Sequence, residues 1–463
     1  MGRMTEILAD YTLAFDLDRT RPADRAGATA ALRDCFGCML AGVGQDAPAI
    51  LRRYAAELDS RASATILGVR GLRTDAGTAA MVNGTAAHIH DYDDVSTNVT
   101  GHPSVVVLPT ALAVGEETGA SGKAVLEAYM LGVEVMGLMG RALNPEHYSR
   151  GWHNTGTLGT FGAAAAAGKL LDLNRQELIY SFSIAASRSA GLKGNFGTMT
   201  KSLHAGLAAS NGIFAAKAAR LGLDANPDIF EMDGGYAPVT TGCIHEEAVL
   251  AFIADGKSEF SSPGIAIKPF PSCKATHNGI DAAMTLQQEE GFQAEDVESI
   301  LVDCQPIAKD LLKYPIARTP LQGKFSMNYC IACALLYGKV TLEQFEGTEI
   351  RDPAVEALMH RIKMEVCPDI AGGAYYNGTW ETGVHITLRD GRTLSRRVRY
   401  APGDPERPLG EEQLRGKLLD CLSQTVDLSR AGELLRCIDR IGELPSLEPL
   451  LRALEECLLP ERA

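Results

Sequence analysis

Residues 83–108 read NGTAAHIHDYDDVSTNVTGHPSVVVL, and the way that stretch is read decides the fold. Its left part closes a small-residue helical pattern, AGTAAMVNGTAAHIH, with Asp75 positioned as the cap. Its right part opens an apolar helical run from Val105 to Glu117. From Asp91 to Pro103 there is neither a helical nor a strand period. The interval is nevertheless rich in ionisable groups. Asp91, Asp93 and Asp94 fall within four positions, and His88, His90 and His102 are three of the ten histidines. Polar groups gathered on irregular chain between apolar helices suggest a site held by a rigid scaffold. The plainer reading is a capped loop, with Asp93 or Asp94 accepting backbone N–H groups.

Working outward, the same design recurs twice. Trp152-His153-Asn154-Thr155 leads into GTLGTFGAAAAAGKLLDL, and KGNFGTMTKS (193–202) leads into HAGLAASNGIFAAKAARLG, which His204 opens. Helices this poor in side-chain bulk approach one another closely, so the three polar loops are expected to converge on one cavity at the helix ends. Gly122 to Leu143 is apolar nearly all round and belongs at the centre. Further helices are expected from Arg25 to Val43 with Asp24 as cap, from Ala47 to Leu58, and from Asn174 to Leu192, with a short strand at Thr65 to Leu67. Near residue 260 the pattern changes. Ser299–Asp303 and Ile362–Val366 read as strands, and residues 384–400 read as a hairpin about Asp390-Gly391. Helices Thr276–Glu290, Phe325–Tyr337 and Pro353–His360 lie among them. Helical pattern resumes at Gly410, and that tail needs a core to pack on. The expected fold is therefore mainly α. A large all-helical domain spans 1–264 and is completed by 401–463, and a smaller α+β domain spans 265–400.

Composition narrows the class. At 463 residues the chain is too long for one ordinary core. With 44 basic and 58 acidic side chains the formal charge is 44 − 58 = −14, which argues against binding nucleic acid or anionic membranes. The opening MGRMTEILADYTLAF does not read as a signal peptide, and no apolar run is long enough to span a bilayer. Eleven cysteines without framework spacing point to reduced thiols and a cytoplasmic location. The pairs Cys35/Cys38 and Cys330/Cys333 lie inside apolar helical patterns, so they read as core residues rather than a zinc site.

His88, His90, His102, His153, His204 and His277 lie in or beside the joints or in the 268–277 segment, with Lys193, Lys201, Lys268 and Lys274 nearest to them. Histidine moves protons near neutral pH, and lysine holds carboxylates or enolate-like charge. Together they fit a small polycarboxylate reacting next to a carboxyl group. A metal held by the aspartates and histidines is the rival reading, although no HExxH or EF-hand spacing supports it. Dinucleotide, P-loop and GxSxG signatures are absent. Cys273 followed by His277 suggests a nucleophile, against a packed thiol at a helix start.

The ordered segments NGTAAHIHDYDD…GHPS, GWHNTGTLGTFGAAAAAGKLL, NFGTMTKSLHAGLAASNG, KPFPSCKATH and KFSMNYCIACALL resemble the MmgE/PrpD family from about residue 20 to 400. The family includes 2-methylcitrate dehydratase, cis-aconitate decarboxylase and iminodisuccinate epimerase. The resemblance implies that the α+β domain acts as a lid over a cleft, and that the protein is a cofactor-independent, metal-free enzyme, commonly a homodimer, acting on a small carboxylate. Carried over motif by motif, the catalytic positions are Asp91, His102, His153, Lys201 and His277, with Lys268, Ser104 and Thr97 as substrate contacts. Lys201 and the histidines would bind carboxylates and move protons, and Asp91 would orient a histidine or bind a hydroxyl. Val95 stands where many relatives carry threonine. The wording of GWHNTGTLGTFGA and NFGTMTK is nearer the epimerase and decarboxylase branches than the methylcitrate dehydratases. The expectation is a lyase, with an epimerase as the alternative and an inert binding or scaffold protein on the same fold as a third.

Overall fold

The computed structural model describes residues 3–370, 376 and 378–460. The chain is mainly helical, as its patterning predicts. Four small-residue helices, Ala76–His88, Ser104–Thr118, Asn154–Leu170 and Met199–Arg220, pack against one another with Gly122–Leu143 beside them. Glycines set the closeness of these crossings. A Cβ on Gly206 would lie 2.1 Å from the Met81 carbonyl oxygen, and one on Gly132 would lie 2.7 Å from the Gly162 oxygen. Helix axes that close bring the N-terminal ends of the Ser104, Asn154 and Met199 helices together at one end of the bundle, which is where the polar loops enter. The His102 backbone N–H donates to Thr155 Oγ1 at 3.1 Å and locks two of those ends to each other.

The second part is built on a four-stranded sheet. Val297–Cys304 is central, flanked by parallel Ile362–Val366 on one side and antiparallel Thr382–Leu388 on the other, and Thr393–Val398 completes the hairpin. The Lys274–Glu290 and Met327–Tyr337 helices pack with this part in one buried apolar cluster, which Tyr148 and Phe196 also enter from the helical part. The tail helices Glu411–Ser423, Gly432–Asp439 and Glu448–Cys457 contribute Leu418, Ile438 and Leu454 to the apolar cluster of the first helices. Cys35 belongs to that cluster, Cys38 to a small one with Tyr92, Leu342 and Cys421, and Cys330 and Cys333 to the sheet-containing part's cluster, and among the described residues the two CxxC pairs form no four-cysteine group.

Three local expectations change. Asp24 is not the cap. The Pro22–Gly42 helix is capped at Arg21, and Asp24 sits three residues inside it, where its carboxylate accepts the Arg21 backbone N–H at 3.2 Å. Met4–Ala14 forms a helix where no element was expected, with Leu8 fully buried in the main cluster. Val95–Ser96 is a two-residue strand paired antiparallel with Ile265–Ala266. Two residues are too few to show a period, and the partner lies some 170 positions away, so only the folded chain reveals it.

Candidate active site

Asp91 adopts a left-handed backbone conformation, φ +50°, which aspartate tolerates better than most residues. Strain of this kind persists where the surroundings over-determine it. Here the surroundings are lysines. Lys201 Nζ lies 3.0 Å from Asp91 Oδ2, and Lys268 Nζ binds both Oδ1 and, at 2.9 Å, the Asp91 carbonyl oxygen. Burial works against the Asp91 charge, but Lys201 and Lys268 outweigh it and hold the carboxyl well below its usual range.

Asp93 bridges two histidines. His88 Nδ1 lies 3.0 Å from its carboxylate and His102 Nδ1 lies 2.9 Å from Oδ2. His102 Nδ1 also faces the Asp94 carbonyl oxygen at 2.9 Å. Both neighbours of that nitrogen accept hydrogen bonds, so Nδ1 carries the proton. This leaves His102 Nε2 on the cavity side, 3.8 Å from Asp91 Oδ1. Burial lowers the His102 pKa, and the Asp93 carboxylate opposes the shift without cancelling it. Burial also drives His88 down to about 3, so it stays neutral. Burial raises Asp94 to about 8, and it is held by the Ser104 N–H and hydroxyl. His153 and His204 share one hydrogen bond between their Nδ1 atoms, 2.9 Å apart. Burial keeps both rings neutral, so one donates and the other accepts.

Asp91, His102, His153 and Lys201 line one cavity together with Val95, Tyr148, Phe196, Lys274, Phe325 and Trp380. Its free volume is about 40 Å³. Lys201, Lys274 and the histidines are its polar lining and Phe196, Phe325, Leu311 and Trp380 its apolar lining; the two meet, with Lys201 Nζ 5.5 and 5.2 Å from the Phe196 and Phe325 ring centres and Phe196 edge-on to His153. His153 caps the Asn154–Leu170 helix and Lys201 sits in the first turn of Met199–Arg220. Helix N-termini add positive potential on the same side, which suits anions. A larger cavity of about 620 Å³ between residues 65–73 and the last helix is lined, among the described residues, by glutamates and arginines and by neither histidine nor lysine.

Four sequence candidates stand behind this cavity instead of lining it. Lys268 holds Asp91 from below, and Ser104 joins Asp94 to Tyr129, whose hydroxyl is 2.6 Å away. Thr97 bonds to Tyr376 at the rim. His277 is fully buried, its Nε2 3.2 Å from the Ser272 carbonyl oxygen, and burial with nearby lysines keeps it neutral. Cys273 lines the cavity, but burial raises its thiol to about 11 and His277 bonds elsewhere, which leaves the packed-thiol reading. The sequence names Lys274, here paired with Asp404 at 2.8 Å, only as one of four lysines near the histidines and gives it no role of its own, and it does not single out Lys324. Lys324 Nζ donates to the His90 and Pro271 carbonyl oxygens at 2.8 and 3.0 Å, and burial brings its pKa down to about 7. Their motifs, KPFPSCKATH and KFSM, were in view, but nothing in spacing tells which lysine of several faces inward.

His88, Asp91, Asp93 and His102 are close enough together to hold a cation. The donor set fits poorly, because both Asp91 oxygens already face ammonium groups that a divalent ion would have to displace.

This architecture, a helical bundle and a sheet-containing part with a lysine–histidine cavity between their residues, defines the class. The chain belongs to the MmgE/PrpD family: the family's N-terminal domain matches residues 6–244 and its C-terminal domain residues 270–440. It is similar to cis-aconitate decarboxylase of Mus musculus, 28% identical over 91% of this chain and 87% of that one. It is likewise similar to cis-aconitate decarboxylase of Homo sapiens, 28% identical over 93% of this chain and 90% of that one. The enzyme of the same name from Aspergillus terreus is 24% identical over 81% of this chain and 80% of its own.

Proposed function

We propose that this chain is a cofactor-independent lyase that decarboxylates a small unsaturated tricarboxylate of the cis-aconitate type. The observation that carries the reading is the convergence of Lys201, Lys274 and the cavity-facing nitrogen of His102 on one small buried cavity that Phe196, Phe325, Leu311 and Trp380 also line. The names of the similar proteins support the same substrate class. Two carboxylates are held by the lysines and the helix N-termini. The third is left without an ammonium partner beside the apolar lining, an environment that favours its departure as neutral CO2 over its charged form. As the C–CO2 bond breaks, its electron pair forms a new C=C bond. The displaced π pair takes a proton at the far carbon from His102 Nε2. A trianion and one proton thus give a dianion and CO2. The bound negative charge raises the His102 pKa and loads that proton from solvent, while Nδ1–H stays on Asp93.

One observation favours a second reading, dehydration or epimerisation. Burial lowers the His102 pKa and so favours the neutral ring, the form that abstracts a proton. The two readings differ in pH dependence. A decarboxylase needs the protonated ring, so kcat/KM falls as pH rises through the lowered His102 pKa. An abstraction enzyme gains activity over the same window. The profile, repeated with His102→Gln, decides between them. The homodimer and the cytoplasmic location belong to this proposal as well. Light scattering on purified protein tests the first and fractionation the second. Among the described residues no helix is long and apolar enough to cross a membrane.

A further inference from the structure

We infer that Glu146, Cys243 and His245 form a second, independent site: a three-ligand site for a zinc-class divalent cation, with its fourth position open to solvent. His245 Nε2 lies 3.1 Å from Glu146 Oε2 and 3.8 Å from Cys243 Sγ. The ligand atoms of all three residues lie within 4.8 Å of one another. Both short contacts use the same imidazole nitrogen. A single ring nitrogen serves one hydrogen bond well, whereas a cation between the three atoms serves all of them. The separations agree with such an ion. Zinc–sulfur bonds of about 2.3 Å and zinc–nitrogen or –oxygen bonds of about 2.05 Å at a tetrahedral angle put sulfur and nitrogen about 3.5 Å apart and nitrogen and oxygen about 3.3 Å apart. One sulfur, one imidazole and one carboxylate is also a donor set that suits zinc and excludes magnesium or calcium.

The ligands are held by backbone, not by chance contact of long side chains. Thr241 accepts the Cys243 N–H at 3.2 Å and donates to the Cys243 carbonyl, which fixes the turn around the thiol. The His245 N–H donates to the Ala142 carbonyl at 2.8 Å and sets the ring at the start of the Glu246–Ala254 helix. Glu146 opens the short Glu146–Ser149 helix. The Glu146 and His245 side chains are 38% and 42% exposed, so an ion reaches the site from solvent without opening the fold. The site is not remote from the cavity. Tyr148, two residues after Glu146, lines it, so an occupied site ties the segment carrying Tyr148 to the 241–245 turn.

Cobalt(II) titration of the purified protein tests this. We expect one equivalent to bind with a thiolate-to-cobalt charge-transfer band and tetrahedral d–d absorption. Cys243→Ser removes the charge-transfer band, and His245→Ala and Glu146→Gln weaken binding. Asp93→Asn, in the internal aspartate–histidine group, leaves the band unchanged. Circular dichroism checks that each variant is folded, which the exposed positions of the ligands favour. The inference is overturned if no stoichiometric cobalt binds, if the band survives Cys243→Ser, or if Asp93→Asn abolishes it.

Discussion

At the scale of single residues, the site is a set of choices about where protons rest. Lys201 has one carboxylate partner and the cavity in front of it. Lys201→Ala removes a cation where the substrate's charge must sit. Loss of one such group costs on the order of 10²–10³ in turnover. The expected outcome is a kcat/KM lowered by at least that much in a variant that is still folded but melts lower, because buried Asp91 loses one of its two ammonium partners; wild-type activity would remove Lys201 from the site. Asp93 acts through His102. As a carboxylate it can only accept, which fixes the proton on Nδ1 and leaves Nε2 for chemistry. Asp93→Asn allows the amide to donate instead, and the ring turns over to the unproductive tautomer. A fall in kcat of roughly 10²–10⁴, with KM little changed, is the signature expected of a lost tautomer. A KM effect alone would mean that Asp93 serves binding.

At the scale of elements, the loop that carries His102 is fastened by a buried carboxylate. Glu259 is fully buried; it accepts Ser96 Oγ, receives Asn98 Nδ2 at 3.1 Å, and meets Arg141 at 2.7 Å. Removing one partner of such a buried pair costs about 3–5 kcal/mol. Arg141→Met is therefore expected to lower the melting temperature clearly, and calorimetry measures it. The same loop lies on bare helix: a Cβ on Gly140 would lie 2.5 Å from the Asn98 carbonyl oxygen. Gly140→Ala must push the 96–99 backbone away and is expected to reduce activity more than stability. The elements themselves were largely legible beforehand. The 362–366 strand, the hairpin about Asp390-Gly391 and the Asp75 and Asn174 caps follow from local pattern, because turn chemistry and capping act within a few residues. The Val95–Ser96 pairing, the Glu259 clamp and the inward turn of Lys274 depend on contacts far apart in sequence, and no local rule encodes them. Asp91, His102, His153 and Lys201 were legible as a group because each lies where a polar loop meets a small-residue helix.

At the scale of the whole molecule, buried ionisable groups give stability a pH optimum. His88, His90 and His147 are held neutral at about 3 by burial. Unfolded, they bind protons below about 6.5, so stability is lost as pH falls from there towards 3. Asp94 and Glu134 are raised to about 8 by burial, so they oppose folding increasingly as pH rises from about 4 to 8. Where the windows overlap, the three histidines outweigh the two carboxyls, so thermal melts should peak near the upper end of the histidine window, at about pH 6.5, and Glu134→Gln should flatten the alkaline side; an unchanged alkaline slope would show that Glu134 is already charged. The cavity's 40 Å³ holds about three waters at roughly 10–15 Å³ each, too little for a six-carbon acid, so binding must widen it. Faster amide exchange around residues 91–102 in the free protein than in the ligand-bound protein is the expected trace. The central claim, proton delivery coupled to loss of CO2, is tested most directly by NMR in heavy water with cis-aconitate. The account predicts one CO2 and a five-carbon unsaturated diacid carrying a single solvent deuterium per turnover. No CO2 release from cis-aconitate, with deuterium instead washed into another carboxylate of the same size, would contradict it.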